Sequence, residues 1–345
     1  MANTRVILSN AKNLRFITVI LNVVKPPRQV APSSSRYARH LSRFNGRAYT
    51  RKGGIIRGKY SKTYEKEQYM SYADKVFRAN AEDILQNGVW DTDKEVRPKW
   101  LDGTPAHTVK KFCIVNRYDL SKEFPIMTLR KQGFKNAVDE ILWIWQKKSN
   151  KICDLHSHIW DSWAGEDGTI GKAYGYQLGV KHIYKEGEFD QVDRVLYDLK
   201  NNPASRRIMT NIYTFADLHE MNLYPCAYSM TFNVTGDKLN GILNQRSNDM
   251  AVANNWNVMQ YAVLMHMFAQ VSGLKVGELV HVIADAHIYD RHIPSVKEML
   301  ENPEYPAPKF IMNPDVKNFY DFTVDDFKLE GYEATPLKKR LEVAV

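Results

Sequence analysis

The chain has 345 residues, enough for one large domain or two ordinary ones, and its apolar and aromatic content suits a globular enzyme with a sizeable core. Its net charge of +9 sits at one end: residues 1–69 hold 15 Lys and Arg against Glu65 and Glu67, a net of +13. The other 33 basic and 37 acidic residues leave −4, so nothing beyond that segment suggests a nucleic-acid surface.

Residues 1–69 are rich in Ser, Arg and Gly without a sustained amphipathic period, and read as disordered in isolation. An organelle transit peptide and a basic arm for RNA or membranes are two functional readings. The favoured reading is an upstream stretch with no part in folding, such as an overextended start before Met70. The longest apolar run, "FITVILNVV", has nine residues including an asparagine, too short to cross a bilayer. Cys113, Cys153 and Cys226 offer neither a disulfide framework nor paired metal-ligand spacing, so a reducing, cytoplasmic setting is expected, with no metal.

From Met70 the pattern is globular. "YADKVFRANAEDILQNG" predicts a helix with Ala73, Val76, Phe77, Ala81, Ile84 and Leu85 on one face and Gly88 as terminator. "HTVKKFCIVNR" predicts a strand. "FKNAVDEILWIWQKKSN" predicts a helix with Phe134, Val138, Ile141, Leu142 and Trp145 inward and Glu140 among them. Glu140 is then either a carboxyl with a raised pKa in an apolar pocket or an exposed edge residue. "RRIMTNIYTF" reads as a strand after a short helix ending at "NNP", and Arg206 and Arg207 as an anion clamp or a solvated pair.

"YPCAYSMTFNVTGDKLNGILNQRSND" then reads as a hairpin. Tyr228, Met230, Phe232 and Val234 recur every second residue, and Gly236–Asp237 is a two-residue loop. Cross-strand position numbers then sum to 473, placing Cys226 opposite Ser247 and next to Arg246, unless a bulge shifts the register by one. From this stretch alone Cys226 reads first as a small buried hydrophobe, and second as a thiolate favoured by a neighbouring guanidinium, which with Ser247 could hold an anion. "VMQYAVLMHMFAQVSG", apolar nearly all round, predicts a central buried helix. "ELVHVIADAHIY" predicts a strand with His287 and Tyr289 on one side, suited to hydrogen bonding a sugar, and "IPSVKEMLEN" a last helix. His287 and His292 do not share a helical face, which argues against a metal site. Residues 70–345 make one α+β domain.

Six segments, "HIWDSWAGEDGTIGKAYGYQLG", "NNPASRR", "YPC", "QRSND", "NNWNV" and "DAHIYDRHI", in this order and spacing, resemble the thymidylate synthase family, as does the chain end "RLEVAV". "GTPAHT" and "FYDFTVDDFKL" resemble one branch of it. The similarity runs from about Tyr72 to Val345. It implies a thymidylate synthase-like fold, a large mixed β-sheet with packed helices that dimerises through the sheet. It also implies reductive methylation of dUMP to dTMP, with 5,10-methylenetetrahydrofolate giving both the carbon and the hydride.

Position by position, the resemblance makes Cys226 the nucleophile at C6 of the uracil ring. Arg246 and Ser247 would bind phosphate, with Arg206 and Arg207 supplied from the partner of a homodimer. Asn257 would read the uracil edge, donating to O4 and accepting from N3–H; His287 and Tyr289 would hold the deoxyribose. Glu140 would order water and shuttle protons, and Tyr174 would help remove the C5 proton. Trp160, Trp163 and Asp249 would line the folate site, and the tail ending at Val345 would close over the ligands. Three places depart from the family pattern: Ala227 replaces a histidine, Ala253 and Asn255 replace glycine and proline, and the mobile phosphate arginine falls around Gly103, leaving Lys99 as a substitute. A deoxyuridylate hydroxymethylase on the same scaffold is the nearest rival, with water completing the reaction instead of hydride. An inactive scaffold binding RNA through the basic segment is a weaker one.

Overall fold

The computed structural model describes residues 71–345; the expectations for residues 1–69, including disorder, targeting and RNA binding, lie outside the described residues. The first helix, α1 (Tyr72–Asn87), buries Ala73, Phe77, Ala81 and Ile84 and ends at Gly88 as expected. Its Asp74 is buried too and accepts the Thr128 N–H at 2.8 Å, tying the helix to the loop that follows β2. Strands β1 (Val89–Trp90) and β2 (Thr108–Asp119) precede α2 (Phe134–Trp145), nearly all of whose residues are buried. Helix α3 (Gly175–Gly179), the small hairpin β3 (His182–Tyr184) and β4 (Gly187–Phe189), and helix α4 (Gln191–Asn201) come next.

The strand expected over "RRIMTNIYTF" shrinks to β5 (Met209–Asn211). Tyr213 N–H donates to Asn211 Oδ1 at 2.9 Å, a local turn that bends the chain off the sheet, and Phe215–Glu220 coils into a 3-10 helix. Strands β6 (Ala227–Thr235), β7 (Lys238–Gln245) and β8 (Asn248–Asp249) lead into α5 (Asn254–Val271) and β9 (Lys275–Tyr289). Helix α6 (Ile293–Glu301) and the hairpin of β10 (Lys309–Met312) and β11 (Phe327–Glu330) complete the described residues.

One mixed sheet organises them, in the order β1-β2-β9-β7-β6-β5 with β8 also on β9. Only β7 and β8 run parallel to β9. A parallel pair needs a crossover, and α5 supplies it. Fourteen of its 18 residues are buried, among them Val258, Met259, Leu264 and Phe268, which explains an apolar pattern without a polar stripe. The sheet face toward α5 carries Met230, Phe232, Leu239, Leu243 and Leu279. Burying each such side chain stabilises by about 1.5–3 kcal/mol. Gly241 lets α5 sit this close: a Cβ there would meet Met265 Sδ at 2.6 Å. The opposite face presents Val115, Val282 and Ile242, of which Val115 and Ile242 are exposed.

Candidate active site

The β6–β7 hairpin delivers Cys226. Gly236, at φ 63°, opens the two-residue loop, and the pairs from Ser229–Asn244 to Thr235–Lys238 follow the expected register. A bulge between Ala227 and Ser229 shifts it by one, so Ala227 pairs with Gln245 and Cys226 faces Arg246, not Ser247. Arg246 N–H donates to Cys226 O at 3.0 Å. The Arg246 guanidinium is fixed by carbonyls, Nε on Pro225 O at 2.9 Å and Nη2 on Tyr224 O at 2.7 Å, and Nη2 lies 3.8 Å from Cys226 Sγ. Burial pushes the Cys226 thiol up, and the Arg246 charge, a hydrogen bond with Tyr174 and the Arg97 charge only partly offset this. The guanidinium thus acts in the expected direction, but desolvation is larger in this fold. Ser247 is half-buried beside it.

Tyr174 comes from the turn before α3, where its φ of 46° is strained for a residue with a Cβ. Gly175 must follow, because a Cβ there would lie 2.3 Å from Ser149 O. The strained turn aims the phenol at the hairpin, where its oxygen accepts the Cys226 N–H at 3.2 Å. Trp160 packs edge-on against the Tyr174 ring at 4.8 Å, and Trp163 against Trp160 at 5.6 Å.

Glu140 is buried on α2, and Trp256 Nε1 donates to its Oε2 at 2.8 Å. Burial raises its pKa to about 7 against the pull of donors on Trp256, Gln260 and Trp160. The carboxyl that sequence left either inside or at an edge is therefore inside. Asn257, one turn into α5, accepts at Oδ1 from Gln245 Nε2 at 3.0 Å and from Asn248 Nδ2 at 3.5 Å, and donates from Nδ2 to Gln260 Oε1 at 3.1 Å.

Asp249 starts the turn into α5, its Oδ1 accepting the Ala251 N–H at 2.8 Å and its Oδ2 lying 3.5 Å from His292 Nδ1. Burial opposes its ionisation, but the adjacent His292 imidazole, the charge of His287 and the Ala251 N–H outweigh it and hold the pKa below the usual carboxylate value. His287 is buried with Nδ1 2.8 Å from Asp285 Oδ1, and its ring meets Tyr289 edge-on at 5.1 Å. Burial raises the Tyr289 pKa, and the charges of Asp249, Arg97 and Cys226 all act on it. Cys226, Tyr174, Glu140, Asn257, Asp249, His287 and Tyr289 thus converge on one region.

Arg206 and Arg207 do not join it: both are exposed between α4 and β5, and their side chains bond to none of the described residues. Val345 is tied to Lys99 by two backbone hydrogen bonds, of 2.8 and 3.0 Å, and His292 Nε2 lies 2.8 Å from Glu342 O. Lys99 is therefore the tail's partner, whereas the basic charge that joins Arg246 in acting on Cys226 is that of Arg97. Sequence reasoning missed Arg97 because it looked near Gly103; "VRPKW", six residues upstream, was the available signal. It also missed Gln245 and Gln260 as partners of Asn257. Of the departures, Asn255 accepts the Met127 N–H at 2.8 Å and donates to Pro125 O at 3.1 Å, so it pins the segment after β2. Ala227 is buried beside Gln245, and Ala253 caps α5 without a side-chain bond. Among the described residues no cluster of His, Cys, Asp and Glu could hold a metal ion, and no helix is long and apolar enough to cross a membrane.

Known proteins resemble this chain over most of its length. The thymidylate synthase of Bacillus subtilis subsp. natto is 48% identical over 281 residues, 80% of this chain and all of the relative. That of Bacillus phage phi3T is also 48% identical over the same extent. The solved structure of thermostable thymidylate synthase A from Bacillus subtilis aligns with a TM-score of 0.76 at 46% identity, covering 79% of this chain and 99% of that one. The sequence model described as Thymidylate synthase matches residues 75–345, from the first helix through the tail on Lys99, and the chain belongs to the thymidylate synthase family.

Proposed function

We propose that Cys226 opens the reductive methylation of dUMP to dTMP, in which 5,10-methylenetetrahydrofolate is both carbon and hydride donor and leaves as dihydrofolate. The observation carrying this is the Arg246 guanidinium, held by two carbonyls 3.8 Å from Cys226 Sγ. Attack of Sγ on C6 of the uracil ring makes C5 nucleophilic, splitting one hard substitution into feasible steps. Arg246 supports the thiolate while Ser247 and Arg97 join it on the phosphate. Asn257 donates to O4 and accepts from N3–H, and His287 and Tyr289 hold the deoxyribose hydroxyl.

Glu140, with a pKa of about 7, is protonated in part near neutrality and so can both give and take a proton. Tyr174, over Cys226, helps remove the C5 proton. Trp160, Trp163 and Asp249 receive the folate, Asp249 accepting from the pterin, and the tail at Val345 keeps water out of the last step.

A homodimer completes the site. The exposed apolar residues Val115 and Ile242 on the outer sheet face support pairing through the sheet, and the exposed Arg206 and Arg207 support delivery to the partner's phosphate site. Three unpaired cysteines, the nucleophilic Cys226 among them, fit a reducing, cytoplasmic setting. Product analysis tests the reading: the full chain with dUMP and methylenetetrahydrofolate yields dTMP and equimolar dihydrofolate. Hydroxymethyl-dUMP with tetrahydrofolate left unoxidised would overturn it in favour of the hydroxymethylase.

A further inference from the structure

Behind Asn257 a line of buried side chains leads away from the cleft to His281. His281 sits on β9, where Leu243 of β7 is its register partner, and is wholly buried. Its Nε2 lies 2.7 Å from Gln245 Oε1, and Gln245 Nε2 donates onward to Asn257 Oδ1 at 3.0 Å. Its Nδ1 is buried with no partner among the described residues.

That empty side gives the line a direction. Burial pushes the His281 pKa down to about 3, so the ring is neutral and carries one proton. A proton on Nδ1 would leave a buried N–H without an acceptor, which costs about 1–3 kcal/mol. A bare Nδ1 lone pair is the milder defect. The proton therefore belongs on Nε2, where it donates to Gln245 Oε1. Gln245 must then turn its NH2 toward Asn257, and Asn257 must turn Oδ1 toward Gln245 and Nδ2 toward Gln260 Oε1.

Asn257 can take one more partner at each end, at Oδ1 by displacing a long contact. Its Oδ1 has a second lone pair, used only by the 3.5 Å contact with Asn248, and its Nδ2 a second hydrogen. A uracil edge offers a donor at N3 and an acceptor at O4, and a cytosine edge offers the reverse. We infer that His281 is a specificity-setting positioning residue: through Gln245 it fixes the amide of Asn257 in the sense that accepts uracil and rejects cytosine. This rests on the reading of Asn257 as the residue that meets the base.

The test measures KM for dUMP and the inhibition constant of dCMP in full-length protein. His281→Phe removes the donor and keeps a planar ring; the dCMP-to-dUMP ratio of these constants falls about tenfold, the loss of about one hydrogen bond's worth of discrimination. His281→Gln, whose amide nitrogen reaches the position of Nε2, keeps the parental ratio. An unchanged ratio in His281→Phe overturns the inference, as does equal weakening of both nucleotides. A His281→Gln variant as deficient as His281→Phe would assign the effect to packing and overturn it too. If His281→Phe does not fold, the near-isosteric Gln245→Leu cuts the same line, and a parental ratio there is equally fatal. Asn257→Asp separates the two layers: a ratio moved by Asn257→Asp but not by His281→Phe removes His281 alone, whereas a ratio moved by neither removes the reading of Asn257 as well.

Discussion

Trp256 on α5 donates a 2.8 Å hydrogen bond to Glu140 on α2, so the helix that carries Asn257 also holds the carboxyl buried in the cleft. Burial lifts that carboxyl from 4.5 to about 7. A raised folded-state pKa means the native state holds its proton more tightly than the unfolded chain. The stability contributed by the proton is fully present below 4.5 and lost as pH climbs through about 7, a change of order 3 kcal/mol. Glu140→Gln removes this loss. Relative to the parent, the variant's urea midpoint should rise between about pH 5 and about pH 7.5, while its turnover falls about 100-fold or more. A parallel pH dependence of the two midpoints would contradict the buried, proton-holding carboxyl.

Cys226→Ser keeps a small polar side chain beside Arg246 but replaces the thiol with a far weaker nucleophile. Turnover should vanish, with the dissociation constant of dUMP by calorimetry staying within about threefold of the parent. Parental activity would be incompatible with attack by this residue.

Arg97→Leu removes a charge that lowers the Cys226 pKa. With less thiolate at a given pH, iodoacetamide should alkylate Cys226 more slowly, and KM for dUMP should rise about tenfold with the loss of the phosphate contact proposed for Arg97. Lys99→Ala, which leaves the backbone pairing with Val345 in place, should change neither.

Removing residues 343–345 deletes both backbone bonds to Lys99. If the tail covers the ligands as proposed, turnover should fall more than about tenfold while dUMP affinity, read by equilibrium dialysis, changes little. An equal loss of dUMP affinity would mean that the tail builds the nucleotide pocket itself.

Legibility in the sequence followed the range of the forces involved. Strong periods survived: the face of α1, the inward stripe of α2 and the all-apolar α5 are set by burial, and the hairpin loop by Gly236. What depends on an adjoining strand or loop did not. The bulge at Tyr228, which puts Arg246 opposite Cys226, has no local signature. Nor has the early end of β5, where Asn211 turns the chain away. Sequence offered both a buried hydrophobe and a guanidinium-favoured thiolate for Cys226; both forces act, and only the fold shows that burial is the larger. Arg97 was missed for a similar reason: the fold of the loop before "GTPAHT", not its count of residues, brings the charge to Cys226. His281 looked like any strand residue until Gln245 came to lie beside it.

Lys99 bonds Val345 through both its N–H and its carbonyl, and Arg97 lies only two residues before it on the same stretch. The phosphate contact proposed for Arg97 and the tail are thus ends of one short connecting strip, and ordering either would lower the entropy cost of ordering the other. Such linkage is reciprocal. Whatever factor the nucleotide contributes to folate affinity through this strip, the folate must return to the nucleotide in full, so the two substrates should show positive cooperativity that Arg97→Leu and the tail deletion abolish alike.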